Sequence, residues 1–145
     1  MNTFIAILKY AAVFVLAIFV GSFAMIGLHH ASGWVWPEFS MDVLPAEQDA
    51  IAALFDRMPL GPKVAIWLAH WGGTAAAAVA AMLAAGRKAV WPGVVMGAWF
   101  TVGGIANNAM LPAPIWLEAV DLVGYLPVAY AVSRSLVKPK QVAVV

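Results

Sequence analysis

The chain contains no cysteine. That excludes disulfides, thiolate metal centres, iron–sulfur clusters and cysteine nucleophiles. Charge is scarce as well. Asp, Glu, Lys and Arg make up 10% of the 145 residues, against about a quarter in an ordinary soluble domain. So few charges cannot cover a water-facing surface. The net charge is +1 and no basic cluster occurs, which argues against nucleic acid as a partner. The signatures H-E-x-x-H, G-x-S-x-G and the P-loop are missing too. No lysine stands deep in an apolar run where it could form a Schiff base, and Lys9 lies close enough to a boundary to snorkel. The sequence therefore leans away from an enzyme and names no cofactor.

What is present is hydrophobic: 64% of the residues. Disorder needs the opposite composition. A membrane-spanning helix takes about 20 mostly apolar residues. Four stretches qualify, at 4–28, 61–85, 89–111 and 115–136. The expected fold is all-α: one integral membrane four-helix bundle over 1–145, with a loop at 29–60. Strands are a poor fit, because 75–85 reads AAAAVAAMLAA and lacks the alternation of outer-membrane strands. A cleaved leader fits poorly too, since Lys9 interrupts an apolar run longer than a typical h-region.

The basic residues give an orientation. Lys9, the pair Arg87 and Lys88, and Arg134, Lys138 and Lys140 fall near one set of span ends. The 29–60 loop is acidic, with Glu38, Asp42, Glu47, Asp49 and Asp56 against Arg57. Both termini are expected in the cytoplasm of a bacterium, the span lying in its inner membrane and the acidic loop in the periplasm. Trp34, Trp36 and Phe39 suit the headgroup layer. Ile51, Leu54, Phe55 and Met58 recur at i, i+3, i+4 and i+7, which predicts a short amphipathic periplasmic helix. It is either a surface anchor or a lid over an outward-facing pocket.

Small residues predict where helices pack closely in lipid. They are Gly21 and Ala24 in the first span, Gly72, Gly73, Ala76 and Ala80 in the second, and Gly93, Gly97 and Gly104 in the third.

The polar residues inside the spans fall at matching depth. At about 1.5 Å per residue, His70 and Asp121 each lie about 10 Å in from the outer boundary. Asn107 and Asn108 lie three to four residues before the outer end of the third span, at about 5 Å, and His29 and His30 close the first span at the outer surface. Glu118, Asp121 and Tyr125 share one helical stripe, as do His70 and Thr74. An ionised carboxylate facing lipid costs about 3 kcal/mol or more, so Glu118 and Asp121 should turn inward toward donors. His70, Asn107, Asn108 and Tyr125 are within reach. The cluster reads in three ways. It is a structural network in which His70 and Asn108 donate to Asp121, or a pocket for a small molecule or lipid headgroup. The third way is a metal or haem site drawing on His29, His30, His70, Glu118 and Asp121, though no binding motif accompanies it.

The segments Ala69-His70-Trp71-Gly72-Gly73-Thr74, Gly103-Gly104-Ile105-Ala106-Asn107, Pro112-Ala113-Pro114-Ile115-Trp116 and Asp121-Leu122-Val123-Gly124-Tyr125-Leu126-Pro127 resemble a family of small four-span bacterial inner-membrane proteins of unknown function. The resemblance covers roughly 59–136. It implies the four-span topology and supports His70, Asn107, Asp121 and Tyr125 as site residues. The family pattern has histidine where this chain has Ala113, so any role of that histidine is missing here.

The expected function is a polar outward-facing cavity that binds a small molecule or lipid, possible also as a transporter-like oligomer. The expected ligand-binding residues are His70, Thr74, Asn107, Asn108, Glu118, Asp121 and Tyr125. The alternatives are an accessory subunit packing against a larger membrane complex, and a histidine-ligated metal or haem protein.

Overall fold

A computed structural model describes residues 3–138. Lys140, one of the basic residues used for orientation, lies outside them. The described chain is all-helical: α1 (Thr3–Val35), α2 (Gln48–Arg57), α3 (Leu60–Ala85), α4 (Trp91–Met110) and α5 (Ile115–Leu136), with two single 3-10 turns at Pro37–Phe39 and Met41–Val43. Three of them, α1, α3 and α5, are long and apolar enough to cross a membrane. That fits a membrane protein. The 20 residues of α4 are diluted by Trp91, Pro92, Asn107 and Asn108.

Helix boundaries follow local chemistry. The first helix runs on past the expected end at 28 to Val35, so His29 and His30 sit within it rather than closing it. Nothing stops the helix before Pro37. Trp36, held out of the α region by the following proline, has φ −130° and ψ 72°. At 33 residues α1 is about 50 Å long, well beyond a hydrocarbon core of about 30 Å. The end of α3 is set by Gly86, left-handed at φ 92°. Its amide and that of Arg87 bond back to Leu83 and Met82 carbonyls, a glycine-terminated cap of the Schellman type.

Helix α3 is central, packing against α1, α4 and α5. Contact is closest where side chains vanish. A Cβ on Gly21 would stand 2.7 Å from Ala77 Cβ and 2.8 Å from the Gly73 carbonyl, which locates the α1–α3 seam. On α4, Gly93 faces Ser133, Gly97 faces Ala129 and Gly104 faces Tyr125. These three α5 residues recur every fourth position and continue a buried stripe through Asp121 and Leu117. Glu118 is off this stripe and only half-buried.

The two ends of the helix assembly differ in charge. At one end the Arg87 side chain donates to the Leu136 carbonyl at 2.8 Å and Lys138 N donates to the Arg87 carbonyl at 3.0 Å. Tyr10, one residue after Lys9, lies against Trp91 with ring centroids 5.0 Å apart. Five of the seven described Lys and Arg residues, Lys9, Arg87, Lys88, Arg134 and Lys138, thus gather at this end, and Arg57 and Lys63 lie at the other. The opposite, acidic end carries α2 and its flanking turns. There Ile51, Phe55 and Met58 are buried against Leu117, Ile66 and Trp67, the face anticipated from the sequence.

Candidate functional site

Two tryptophans one turn apart on α3 fix the register of α3 against α5. The Trp67 indole N–H donates to the Leu117 carbonyl and that of Trp71 to the Asp121 carbonyl, each at 3.0 Å. The rings stack at 6.2 Å and 10°. Gly124 makes this possible, because a Cβ there would collide with the Trp71 indole. Indole N–H groups buried at an apolar seam need an acceptor, and the carbonyls one turn apart on α5 supply it. The sequence reading passed over Trp71. Its signal was the i, i+4 tryptophan pair opposite a glycine.

This clamp brings His70, which lies between the two tryptophans in sequence, to the carboxylate of Asp121. His70 Nδ1 lies 2.8 Å from Asp121 Oδ2. The Tyr125 hydroxyl donates to the same oxygen at 2.8 Å and lies 3.1 Å from Nδ1. With Asp121 ionised, one proton arrangement satisfies all three atoms. Nδ1–H and the tyrosine O–H both donate to Oδ2, and the tyrosine oxygen is a second acceptor for Nδ1–H. This assigns the Nδ1-protonated tautomer. His70 Nε2 is then left without a hydrogen-bond partner among the described residues. The His29 ring meets the His70 ring edge-on, with centroids 5.1 Å apart.

Asp121 is buried, its side chain 5% exposed. Among the described residues its second oxygen, Oδ1, has no partner, and Asn108 Nδ2 is likewise buried and unpartnered. Such atoms are costly in a low-dielectric interior. Both residues line a cavity of about 130 Å³ at the acidic end. Helix α2 and the 3-10 turns roof it through Phe55, Met58, Phe39 and Met41. Trp36, Ile66, Trp67, Ala113 and Leu117 add apolar wall, while His29, Ser32, His70, Asn107 and Glu118 complete the polar part. A second cleft, between α1 and α4, reaches His70 and Tyr125 and shares His29, Met41 and Asn107 with the first.

The expected site residues divide accordingly. His70, Asp121 and Tyr125 form one hydrogen-bonded cluster. Asn107, Asn108 and Glu118 reach the cavity wall, where their side chains make no hydrogen bond among the described residues. Thr74 is fully buried, and its hydroxyl donates to the His70 carbonyl at 2.9 Å. It supports the backbone beneath His70 and is not on the cavity wall. Tyr125, rather than Asn108, is the second donor to Asp121. Among the described residues, no three His, Asp or Glu side chains are grouped to hold a metal ion. Comparisons with family models, with curated proteins and with solved structures return no match.

Proposed function

We propose that the protein is a four-span inner-membrane protein whose acidic-end cavity binds a small, largely apolar molecule by a polar head. Helix α4 is the fourth span in this reading. Both termini are cytoplasmic and α2 is a periplasmic lid. Charge asymmetry supports that orientation: most basic residues gather at one end, while the acidic residues, with only Arg57 and Lys63 among the described cations, lie at the other, the bias of the positive-inside rule. The resemblance of the His70, Asn107 and Asp121 segments to small inner-membrane proteins belongs to the same proposal.

One observation carries the binding reading. A purely structural network would satisfy its buried members, yet Asp121 Oδ1 and Asn108 Nδ2 are buried without partners beside a cavity. Apolar walls with a few convergent polar groups are the usual form of a small-molecule site. His70 and Tyr125 hold Asp121 in place, and the free oxygen and Asn108 remain for the ligand.

Native mass spectrometry of the protein ejected directly from its membrane tests this. The wild-type chain is expected to carry a bound small molecule. Ala113→Phe and Ser32→Phe, at two residues that line the cavity, are expected to lose it while keeping their melting temperatures. Bare chain in all three samples would refute the proposal. So would an adduct that survives both substitutions.

A further inference from the structure

The charges around the cavity specify more than an apolar ligand. Two carboxylates, Asp121 and Glu118, line it, and no lysine or arginine does. Lys63, the cation at the start of α3, is drawn aside over the Trp116 ring at 5.6 Å. The only basic groups on the wall are the imidazoles of His29 and His70, and His70 already donates to Asp121 Oδ2. Asp121 Oδ1 and the Glu118 carboxylate thus remain as acceptors without donors. An anionic ligand would meet repulsion from both.

The same wall carries four aromatic side chains, Trp36, Phe39, Phe55 and Trp67. Aromatic faces attract cations, most strongly when water is excluded. Asn108 adds a third acceptor. Turning its amide over breaks no hydrogen bond, since Nδ2 has no partner, and presents the amide oxygen instead. Two carboxylates, an amide and an aromatic wall suit a cationic group that carries N–H donors. The space beside these groups suits a small apolar body. At about 130 Å³ the cavity is close to the roughly 150 Å³ that accepts benzene.

We infer that the cavity selects a small primary ammonium compound, with an apolar body about the size of one six-membered ring. This rests on the binding reading above and adds the ligand class. The Asp121 Oδ1 atom is the decisive group. It needs an N–H or O–H donor, which a quaternary ammonium lacks, and a carboxylate beside it favours the ammonium over an alcohol of the same shape.

Isothermal titration of the full chain in nanodiscs tests the inference, with protein-free nanodiscs as the blank. The test compounds are benzylamine, benzyl alcohol, benzyltrimethylammonium and benzoate. Benzylamine is expected to bind at least about tenfold tighter than benzyl alcohol and the quaternary compound, a difference of about 1.4 kcal/mol. Benzoate is expected not to bind. Asp121→Asn should abolish the preference for benzylamine while leaving benzyl alcohol within about twofold, which is less than about 0.5 kcal/mol. Glu118→Gln, at a residue whose side chain makes no hydrogen bond among the described residues, should reduce the preference in the same direction and covers the case in which the Asp121 variant fails to fold. Equal binding of benzyl alcohol and benzylamine in the wild type, or any binding of benzoate, overturns the ammonium assignment and leaves the cavity standing as a site. Binding of all four compounds that persists in Ala113→Phe, or binding of none, overturns both.

Discussion

The Tyr125 hydroxyl shows how single groups decide this site. It donates to the oxygen that also takes the His70 proton, so its removal leaves a buried carboxylate with one donor fewer. Hydrogen bonds to charged groups contribute about 1.5–3 kcal/mol. Tyr125→Phe should therefore lower unfolding stability by about 2 kcal/mol, read as a lower denaturation midpoint in detergent. An unchanged midpoint would mean that the hydroxyl is not bonded to Asp121. Much at this scale was legible in the sequence, because depth and helical phase alone brought His70, Asp121 and Tyr125 together. The role of Asn108 was not legible. Its depth was right, but whether its amide reaches Asp121 depends on the rotation of α4, which spacing does not contain. Thr74 shared a stripe with His70, yet its hydroxyl turns back on its own helix, as threonine often does within apolar helices.

Among the elements, α4 and α5 approach through missing side chains. Gly97 is the tightest test, since a Cβ there would lie 2.6 Å from Ala129 Cβ. Gly97→Leu should force the helices apart and cost about 3 kcal/mol, the upper range for overpacking a filled core. Gly103→Leu is the matched control, because a Cβ at Gly103 meets nothing within 4 Å. It should change stability by no more than about 0.5 kcal/mol. Thermal denaturation of the two variants side by side distinguishes a seam from a stripe of small residues without a partner. The sequence disclosed these glycines but not which helix each would meet. That information lies in the opposing Ala129 and Ser133, ordinary residues in an apolar run. The long helix was misjudged at its end for a related reason. The change from apolar to polar at His29 resembles a boundary, but backbone hydrogen bonding is indifferent to it, and α1 continues until a proline intervenes.

The whole molecule is polarised, basic at the Arg87 end and acidic at the α2 end. Its proposed placement in the membrane follows from that polarity alone, and the absence of cysteine makes it simple to check. Single-cysteine variants Asp49→Cys and Lys88→Cys place one thiol at each end, both at exposed positions. In intact spheroplasts an impermeant maleimide should label the first and label the second only after permeabilisation. The reverse pattern would invert the topology, and equal labelling of both without permeabilisation would remove the inner-membrane arrangement. At this scale the helix content and the charge asymmetry were readable from composition, because lipid constrains them strongly. The cavity was not, since it arises from how α2 and the turns around Pro37 and Met41 fold over α3 and α5.

The proposed site depends on an imidazole of α3 meeting a carboxylate of α5 in the protein interior. Magic-angle-spinning NMR in bilayers, with labelled histidine and aspartate, observes that contact directly. The expected result is magnetisation transfer between His70 Nδ1 and the Asp121 carboxyl carbon, with Nδ1 protonated. Transfer from the His70 ring to lipid acyl protons, with none to Asp121, would contradict the account.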